Sequence, residues 1–331
     1  MKAILINDDK SLSWSEVGAL PMGERDILIK VACAGLNRAD LMQRDGDYPP
    51  PEGCPEWMGL EVSGVIEDMG EVAAKESGFS KGDRVCALLG GGGYAEYVST
   101  DYSMVIPVPE EYSMIQAAAI PEAFATAYLN LFIEGGLKEG NTLLMHAGAS
   151  GLAGVVIPMA KAFGVRVITT VRTTEFVEKV KPLGADIIVD SSTEDIADVM
   201  KRELDAGRPV DVAIDCLGGK GMGNCLQYMQ RYGRWIMIAT LAGDLTEINM
   251  KTVYVRNVRI VGSTLRSRHP SVKAEILSRI ASEVYPKIKT HGLYPSIYKT
   301  LPITEADEAH NILLRGENSG KVILIVDENL L

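Results

Sequence analysis

The stretch NTLLMHAGASGLAGVVIPMAKAFGVRVITTVRTT, residues 141–174, predicts one complete βαβ unit. Its apolar start, Thr142–Met145, predicts a strand that ends at the small-residue turn His146–Gly151. Apolar residues at every fourth position of Leu152–Phe163 predict a helix, and Val165–Thr169 predicts the next strand. A turn of small residues lets backbone N–H groups reach a pyrophosphate at the positive end of the helix that follows.

The turn matches the dinucleotide-binding pattern G-x-G-x-x-G only in part, with Gly148, Ser150 and Ala153 at its three defined positions. The residues predicted to bind the cofactor here are Gly148, Ala149, Ser150, Gly151, Leu152 and Ala153. Gly148-Ala149-Ser150 also resembles the start of a nucleophile elbow, G-x-S-x-G. Leu152 occupies the place of its last glycine, so a nucleophilic Ser150 is disfavoured.

The end of the second strand indicates which nucleotide binds. An NAD site has an acidic residue about 20 residues past the first glycine, to bind the ribose 2′-hydroxyl. Here no acid precedes Glu175, whereas Arg172 is present beside Thr173. A guanidinium suits a 2′-phosphate, so the sequence favours NADPH over NADH. The alternative is that Arg172 is a solvated residue at a strand end.

Length, charge and cysteine content limit the classes of protein to which the chain can belong. The chain has 331 residues, enough for two domains, and a net charge of −11, which argues against nucleic acid and anionic membranes as partners. The polar residues Asn7, Asp8 and Asp9 follow the first six residues, so the start does not resemble a signal peptide. Five cysteines without C-x-x-C spacing suit reduced thiols, and we expect a cytoplasmic protein.

Two regions of different pattern are predicted. Residues 1 to about 110 contain short strands between Gly and Pro turns, including a strand over Tyr94–Val98. From Thr142 onward, about six strands alternate with helices, which is typical of an open parallel sheet. Pro158 should kink its helix or be tolerated by packing. The last strand, Lys321–Asp327, is expected to rejoin the first region.

Several motifs in one order then resemble a known family. They are Asn37–Arg44 (NRADLMQR), Gly59–Gly64 (GLEVSG), Gly82–Val85 (GDRV), Gln116–Ala123 (QAAAIPEA), His146–Gly148 (HAG), Asp215–Gly219 (DCLGG), Leu265–Arg268 (LRSR) and Gly320–Lys321 (GK). The chain resembles the zinc-free quinone oxidoreductases of the medium-chain dehydrogenase/reductase superfamily, in the branch of zeta-crystallin and the p53-inducible quinone oxidoreductase. The resemblance covers nearly the whole chain.

The resemblance implies an α/β fold, with a GroES-like β-rich domain (1–122 and 268–331) and an inserted Rossmann domain (123–267). It implies NADPH and hydride transfer to a quinone or similar electrophilic acceptor. By motif position, the residues that resemble the family's cofactor and substrate contacts, besides the glycine turn, are Asn37, Tyr48, Thr126, Cys216, Leu217, Gly218, Thr240, Leu241, Ala242 and Asn318.

No metal site is expected. The zinc-dependent alcohol dehydrogenases of this superfamily need a Cys and a His in the first domain, where this chain has Asn37 and Leu60. The four histidines are far apart without ligand spacing, and no cysteine cluster exists. His146, at a strand end, is interpreted as a hydrogen-bonded structural residue.

Without a Lewis acid, the acceptor must already be electrophilic, as a quinone or an enone is. Tyr48 is the candidate to orient or protonate an acceptor oxygen, unless it only packs against the neighbouring prolines. Asn37 would hydrogen-bond near the nicotinamide ribose or the acceptor, unless it is a turn residue. An NADPH-dependent alkenal or enoyl reductase would use the same site. A third hypothesis is an NADPH-binding sensor or structural protein with little turnover.

Quaternary structure is also implied. Open sheets in this superfamily commonly pair edge to edge, so Val258–Thr264 is a candidate strand for a homodimer or homotetramer. A bare edge strand is otherwise a liability.

Overall fold

The computed structural model describes residues 1–331 as two compact units. Unit 1 comprises Met1–Ala125, Arg266–Lys289 and Tyr294–Leu331, and unit 2 comprises Thr126–Leu265 and Thr290–Leu293. The chain therefore leaves unit 1 after Ala125 and returns to it at Arg266.

Unit 1 is built on antiparallel strands. Numbered along the whole chain, its strands are β1 (Lys2–Ile6), β2 (Leu12–Glu16), β3 (Asp26–Gly35), β4 (Glu61–Met69), β5 (Arg84–Leu88), β6 (Tyr97–Asp101), β7 (Val105–Pro107), β14 (Ile297–Pro302) and β15 (Lys321–Ile325). The main sheet has the order β14-β15-β3-β4-β5-β7, with β6 also paired to β3. β15 pairs antiparallel with β3, which confirms that the C-terminal strand rejoins the first region.

Short helices surround this sheet. Those that begin in unit 1 are α1 (Arg38–Asp45), α2 (Glu71–Glu76), α3 (Met114–Ala117), α4 (Pro121–Tyr128), α10 (Pro270–Arg279), α11 (Tyr285–His291) and α12 (Ala306–Arg315). Apolar residues of β3, β4, β15 and α12 form one buried cluster. Pro121 begins α4, which is therefore separate from α3, and proline is tolerated at the first position of a helix.

One predicted strand was placed too early. β6 begins at Tyr97, whereas Tyr94 is wholly buried and its backbone N–H and C=O bond to Met58 and Ile4. The buried Gly91–Gly93 segment precedes Tyr94, and Gly92 has φ 93°. The alternating pattern over residues 94–98 therefore reflects a buried turn and the start of a strand, rather than one strand.

Unit 2 contains the predicted parallel sheet. Its strands are β8 (Thr142–Met145), β9 (Arg166–Val171), β10 (Ile187–Asp190), β11 (Val210–Asp215), β12 (Met229–Met237) and β13 (Arg259–Gly262). Their order is β10-β9-β8-β11-β12-β13, and every pair is parallel. This is the Rossmann order, in which the strand sequence reverses direction between β8 and β11.

Helices connect these strands. They are α5 (Ala153–Ala162), α6 (Thr174–Val180), α7 (Ile196–Asp205), α8 (Lys220–Cys225) and α9 (Met250–Arg256). α5 continues through Pro158 to Ala162, so the helix accommodates this proline. Most of α5 is buried, and packing of this kind offsets the loss of one helical hydrogen bond. No helix in the chain is both long enough and apolar enough to span a bilayer.

The core of unit 1 contains a histidine that should make the fold sensitive to acid. His310, on α12, is fully buried, its ring meets the Tyr94 ring edge-on at 6.0 Å between centroids, and neither ring nitrogen has a hydrogen-bond partner. Burial lowers the pKa of His310 to about 4, and the positive charge of Arg44 acts in the same direction. Between pH of about 6.5 and 4 the unfolded chain binds a proton that the folded chain does not. The free energy of unfolding therefore falls across this window by up to about 3 kcal/mol on this account.

We predict that His310→Leu makes the thermal midpoint fall less than that of the wild type as pH is lowered from 7 to 4.5. Differential scanning fluorimetry across that range measures the two slopes. His291 is exposed, and His291→Leu is the matched control that should keep the wild-type slope. If the thermal midpoints of the wild type and His310→Leu fall in parallel with pH, His310 is not the source of the acid sensitivity.

Candidate active site

The glycine turn after β8 is held by two threonines of β9. The Gly148 N–H donates to the Thr170 carbonyl at 2.7 Å, and the Ala147 N–H donates to the Thr170 hydroxyl at 3.2 Å. A Cβ atom added to Gly148 would lie 2.5 Å from the Thr169 Oγ1 atom. The first glycine is therefore required by close packing against the neighbouring strand, as the motif demands.

The start of α5 offers donors to an anion. The Ser150 hydroxyl accepts the Ala153 N–H at 3.1 Å, so this side chain acts within the turn and not as an activated nucleophile. The N–H groups of Ala149, Gly151 and Leu152 have no acceptor within the protein. Free N–H groups before a helix of ten residues, together with its dipole, suit a phosphate.

His146 supports the same turn from inside the unit. It is buried, its Nδ1 atom lies 3.1 Å from the Thr170 hydroxyl, and its ring packs 5.8 Å from the Trp235 ring. Burial lowers the pKa of His146, although the Asp215 charge opposes this shift. The ring is therefore neutral at pH 7 and has a structural role.

Asp215, at the end of β11, shapes the second turn of the site. Its carboxylate accepts the N–H groups of Leu217 and Gly218 at 2.7 and 3.0 Å, and the Trp235 indole N–H at 2.9 Å. Asp215 is 1% exposed, so these three bonds replace its hydration. They fix the Cys216–Gly218 turn in one conformation.

A third turn, after β12, is bonded to the second. The Leu241 and Ala242 N–H groups donate to the carbonyls of Cys216 and Leu217, at 3.1 and 2.7 Å. The predicted residues 216–218 and 240–242 therefore form one surface. It lies where the carboxyl ends of β11 and β12 meet, at the switch-point side of the sheet.

The other predicted residues of unit 2 lie at different points. Arg172 and Thr173 are exposed directly after β9, and the Arg172 guanidinium lies 5.7 Å from the centre of the Phe176 ring. Thr126 lies in α4, where its carbonyl accepts the Asn130 side-chain amide at 2.8 Å. β9, which precedes Arg172, and β8, which precedes the glycine turn, are neighbours in the sheet.

In unit 1, Asn37 belongs to a buried polar network. The Lys321 ammonium donates to the Glu61 carboxylate at 2.5 Å and to the Asn37 amide oxygen at 2.8 Å. The Asn37 amide nitrogen donates to the same Glu61 carboxylate at 3.0 Å. The other Glu61 oxygen accepts the Glu122 N–H at 2.9 Å. Asn37 is therefore not a simple turn residue, because both ends of its side chain are fixed.

A second buried carboxyl fixes the backbone of Asn37. Asp40 accepts the N–H groups of Asn37 and Gly59 at 2.8 and 3.1 Å, and the Tyr94 hydroxyl at 3.0 Å. Burial raises the pKa of Asp40 to about 6, although these hydrogen bonds oppose the shift. Asp40 thereby joins α1 to the segment that precedes β4.

Tyr48 follows α1 and is held by Arg266. The Arg266 guanidinium donates to the Tyr48 carbonyl at 3.0 Å, the Gly90 carbonyl at 2.8 Å and the Gln43 amide oxygen at 2.7 Å. Its central carbon lies 5.0 Å from the centre of the Tyr48 ring. Burial raises the pKa of the Tyr48 hydroxyl and Arg266 opposes the rise, so this hydroxyl is a protonated donor at pH 7.

The last predicted residue, Asn318, precedes β15, where its side chain donates to the Gly320 carbonyl at 2.8 Å.

Sequence reasoning did not assign roles to Glu61, Lys321, Thr170, Asp215 or Arg266. Charged residues at the ends of otherwise apolar strands were the available signal for three of them, Glu61, Lys321 and Asp215. Their partners are distant in sequence and could not be identified.

Comparisons with known proteins agree with this architecture. The family described as "Alcohol dehydrogenase GroES-like domain" matches residues 23–110, and the family described as "Zinc-binding dehydrogenase" matches residues 151–282. A quinone oxidoreductase-like protein 2 homolog from Nematostella vectensis is 31% identical over 92% of this chain and 82% of its own. The human quinone oxidoreductase is 30% identical over 92% of this chain and 90% of its own.

Solved structures give the same result. The quinone oxidoreductase of Thermus thermophilus, whose structure was also determined in complex with NADPH, superimposes with a TM-score of 0.81 at 26% identity. The match covers 98% of this chain and 100% of the Thermus chain.

We predict that Gly148→Ala lowers the stability of unit 2 by about 1–3 kcal/mol, because the new methyl group overpacks against Thr169. The thermal midpoint measures this loss. Gly221→Ala, where an added Cβ meets nothing within 4 Å, is the matched control and should not be destabilised. The double variant Gly148→Ala/Thr169→Ala should recover part of the loss. If it is less stable than both single variants, the clash is not the cause.

Proposed function

The chain belongs to the quinone oxidoreductase-like proteins of the medium-chain dehydrogenase/reductase superfamily, and on that basis we propose that it is an NADPH-dependent quinone oxidoreductase that needs no zinc. The observation that carries the proposal is the closed network of Asn37, Glu61 and Lys321. It lies where zinc-dependent relatives would place ligands, and it leaves activation of the acceptor to the acceptor's own chemistry.

The donor set does not fit zinc, although one matching family is described as zinc-binding. No group of three or more His, Cys, Asp and Glu side chains is arranged to hold a metal ion. Leu60 has no donor atom, and the Asn37 amide is already bonded at both ends. The Glu61 carboxylate is likewise satisfied, by an ammonium group and a backbone N–H. Zinc prefers thiolate, imidazole and carboxylate ligands that remain available.

The residues of unit 2 fit NADPH. The unbonded N–H groups of Ala149, Gly151 and Leu152 would hold the pyrophosphate, and the turns at Cys216–Gly218 and Thr240–Ala242 would line its path. Arg172, exposed after β9, would bind the 2′-phosphate. When bound, the nicotinamide supplies the hydride. The same cofactor is present in the complex of the Thermus relative.

The residues of unit 1 would orient the acceptor. A quinone that gains one hydride and one proton becomes a hydroquinone, so the protein must position a ring and allow one proton to reach an oxygen atom. Tyr48 keeps its proton at pH 7 and can donate a hydrogen bond to that oxygen. Asn37, fixed by Lys321 and Glu61, would hold the ribose or the acceptor.

Two alternative functions make different predictions. An alkenal or enoyl reductase would use the same residues, and a substrate panel of ortho-quinones, para-quinones and enones separates the two enzymes. An NADPH-binding sensor would bind cofactor but turn over none of these acceptors.

We also propose a homodimer that forms through the edge strand β13. This strand is the last of its sheet, and Ile260 on it is 42% exposed. Nearby in sequence, Leu245, Met250 and Tyr254 are each at least 67% exposed. Pairing of two β13 strands would cover an edge that is a liability when bare. Multi-angle light scattering should give twice the mass of the chain, and a monomer would end this proposal.

The pure protein should oxidise NADPH on addition of an ortho-quinone, and bind NADPH more tightly than NADH. Arg172→Met should weaken NADPH binding by about 10–100-fold while leaving NADH binding nearly unchanged, because a charge-assisted bond to the 2′-phosphate is lost. Arg231 is likewise exposed and stacked 5.6 Å from a ring, so Arg231→Met is the matched control. Fluorescence titration with both cofactors gives the affinities. Equal losses for NADPH and NADH would remove the 2′-phosphate role.

Tyr48→Phe should lower kcat for quinone reduction by about tenfold or more, with little change in the Kd for NADPH, because only the hydroxyl donor is removed. Steady-state kinetics and cofactor titration measure the two quantities. An unchanged kcat would exclude the hydroxyl from the reaction.

A further inference from the structure

Ala147, within the glycine turn, has a backbone conformation that alanine rarely adopts. Its φ is 55°, in the left-handed region, whereas neither Gly148 nor Gly151 has a positive φ. The Cβ atom of an L-residue makes this region costly, and such a conformation persists only where surrounding contacts impose it. The strain in this turn therefore lies on an alanine, and other residues must hold it in place.

Thr170, on β9, makes the contacts that hold Ala147 in this conformation. Its hydroxyl accepts the Ala147 N–H at 3.2 Å, and its carbonyl accepts the Gly148 N–H at 2.7 Å. These two N–H groups lie on either side of the Ala147 α-carbon, so fixing both of them fixes its φ and ψ. The Thr170 hydroxyl is itself held, because it is buried and lies 3.1 Å from the His146 Nδ1 atom.

The conformation of Ala147 in turn determines the arrangement of the N–H groups that are left for a ligand. The Ala147 carbonyl accepts the Ser150 N–H at 2.9 Å, which closes the turn. The N–H groups of Ala149, Gly151 and Leu152 have no acceptor within the protein. If Ala147 relaxed to a right-handed or extended conformation, its carbonyl would rotate and this closure would be lost. The three unbonded N–H groups would then lose their fixed arrangement.

We propose that Thr170 is a positioning residue for the cofactor pyrophosphate, because its hydroxyl keeps Ala147 in the left-handed conformation on which the binding turn depends. In this role Thr170 acts through Ala147 and not through a bond to the cofactor. The inference rests on the proposed function in one respect, namely that the pyrophosphate binds at this turn.

The test compares the binding of two ligands to variants of the full-length protein by calorimetric titration. Thr170→Val removes the hydroxyl but keeps the branched shape, so the Kd for NADPH should rise about tenfold. Adenosine 2′-monophosphate carries the 2′-phosphate but no pyrophosphate, so its Kd should change by less than about twofold. Thr170→Ser keeps the hydroxyl and should bind both ligands as the wild type does. Thr142, on β8, is as buried as Thr170, and Thr142→Val is the matched control that should keep both affinities.

A second pair of variants tests whether the strain on Ala147 is the cause. Glycine adopts the left-handed conformation without the steric cost, so adding Ala147→Gly to Thr170→Val should restore most of the lost affinity for NADPH. Should Thr170→Val fail to fold, Ala147→Val takes its place. A β-branched residue tolerates a φ of 55° even less than alanine does, so the same selective loss of NADPH binding is expected.

The outcomes separate this inference from the proposed function. A wild type that binds NADPH but reduces no quinone would contradict the proposed function and leave the inference standing. The inference would be overturned by an unchanged Kd for NADPH in Thr170→Val, or by an equal loss of affinity for both ligands. A loss that Ala147→Gly does not reverse would also overturn it, because the hydroxyl would then act by a route other than Ala147.

Discussion

The ion pair between Glu61 and Lys321 is the interaction on which the arrangement of unit 1 depends. Glu61 is fully buried and Lys321 is 5% exposed, so neither charge is stabilised by water. Transfer of two such charges into the interior is costly, and it is offset only when the remaining lone pairs and protons are also bonded. Here the Leu36 carbonyl, the Asn37 amide and the Glu122 N–H complete the set. Removing one partner from such a pair typically costs about 3–5 kcal/mol, because a bare charge remains.

This requirement explains why Asn37 is so well fixed. An amide offers a donor and an acceptor, and it can therefore join a carboxylate to an ammonium without carrying charge itself. A cysteine at that position could not bridge the two groups in the same way. The network thus holds a neutral amide in one orientation between two buried charges.

Unit 2 obeys a different constraint, which is topological. Parallel strands present their carboxyl ends at one edge of the sheet, and the reversal of order between β8 and β11 opens a crevice there. The turns that follow must be short and fixed. Thr170 achieves this for the glycine turn and Asp215 for the turn at Cys216–Gly218, each through several hydrogen bonds to the backbone.

The parts of the structure that local pattern determines were predictable from the sequence. The βαβ unit and the parallel sheet follow from hydrophobic period and from glycine positions, which act over a few residues. The pairing of β15 with β3 joins distant residues such as Ile323 and Gly35, and local pattern does not specify it. The polar contacts of unit 1 were not predictable in this way, since Lys321 and Glu61 are 260 residues apart, and Arg266 and Tyr48 are 218 apart. Charge alone does not specify a partner at such separations. Tyr94 was placed in a strand because its pattern alternates, but burial beside Asp40 decides its conformation.

The position of β15 after unit 2 in the sequence has a consequence for biosynthesis. A ribosome releases Thr126–Leu265 as one continuous segment, whereas unit 1 remains unfinished until β15 emerges. Until then β3 lacks its C-terminal neighbour, and Glu61 has no ammonium to meet it. The nucleotide-binding half can therefore mature during translation. Unit 1 is completed only once β15 has been translated and can pair with β3.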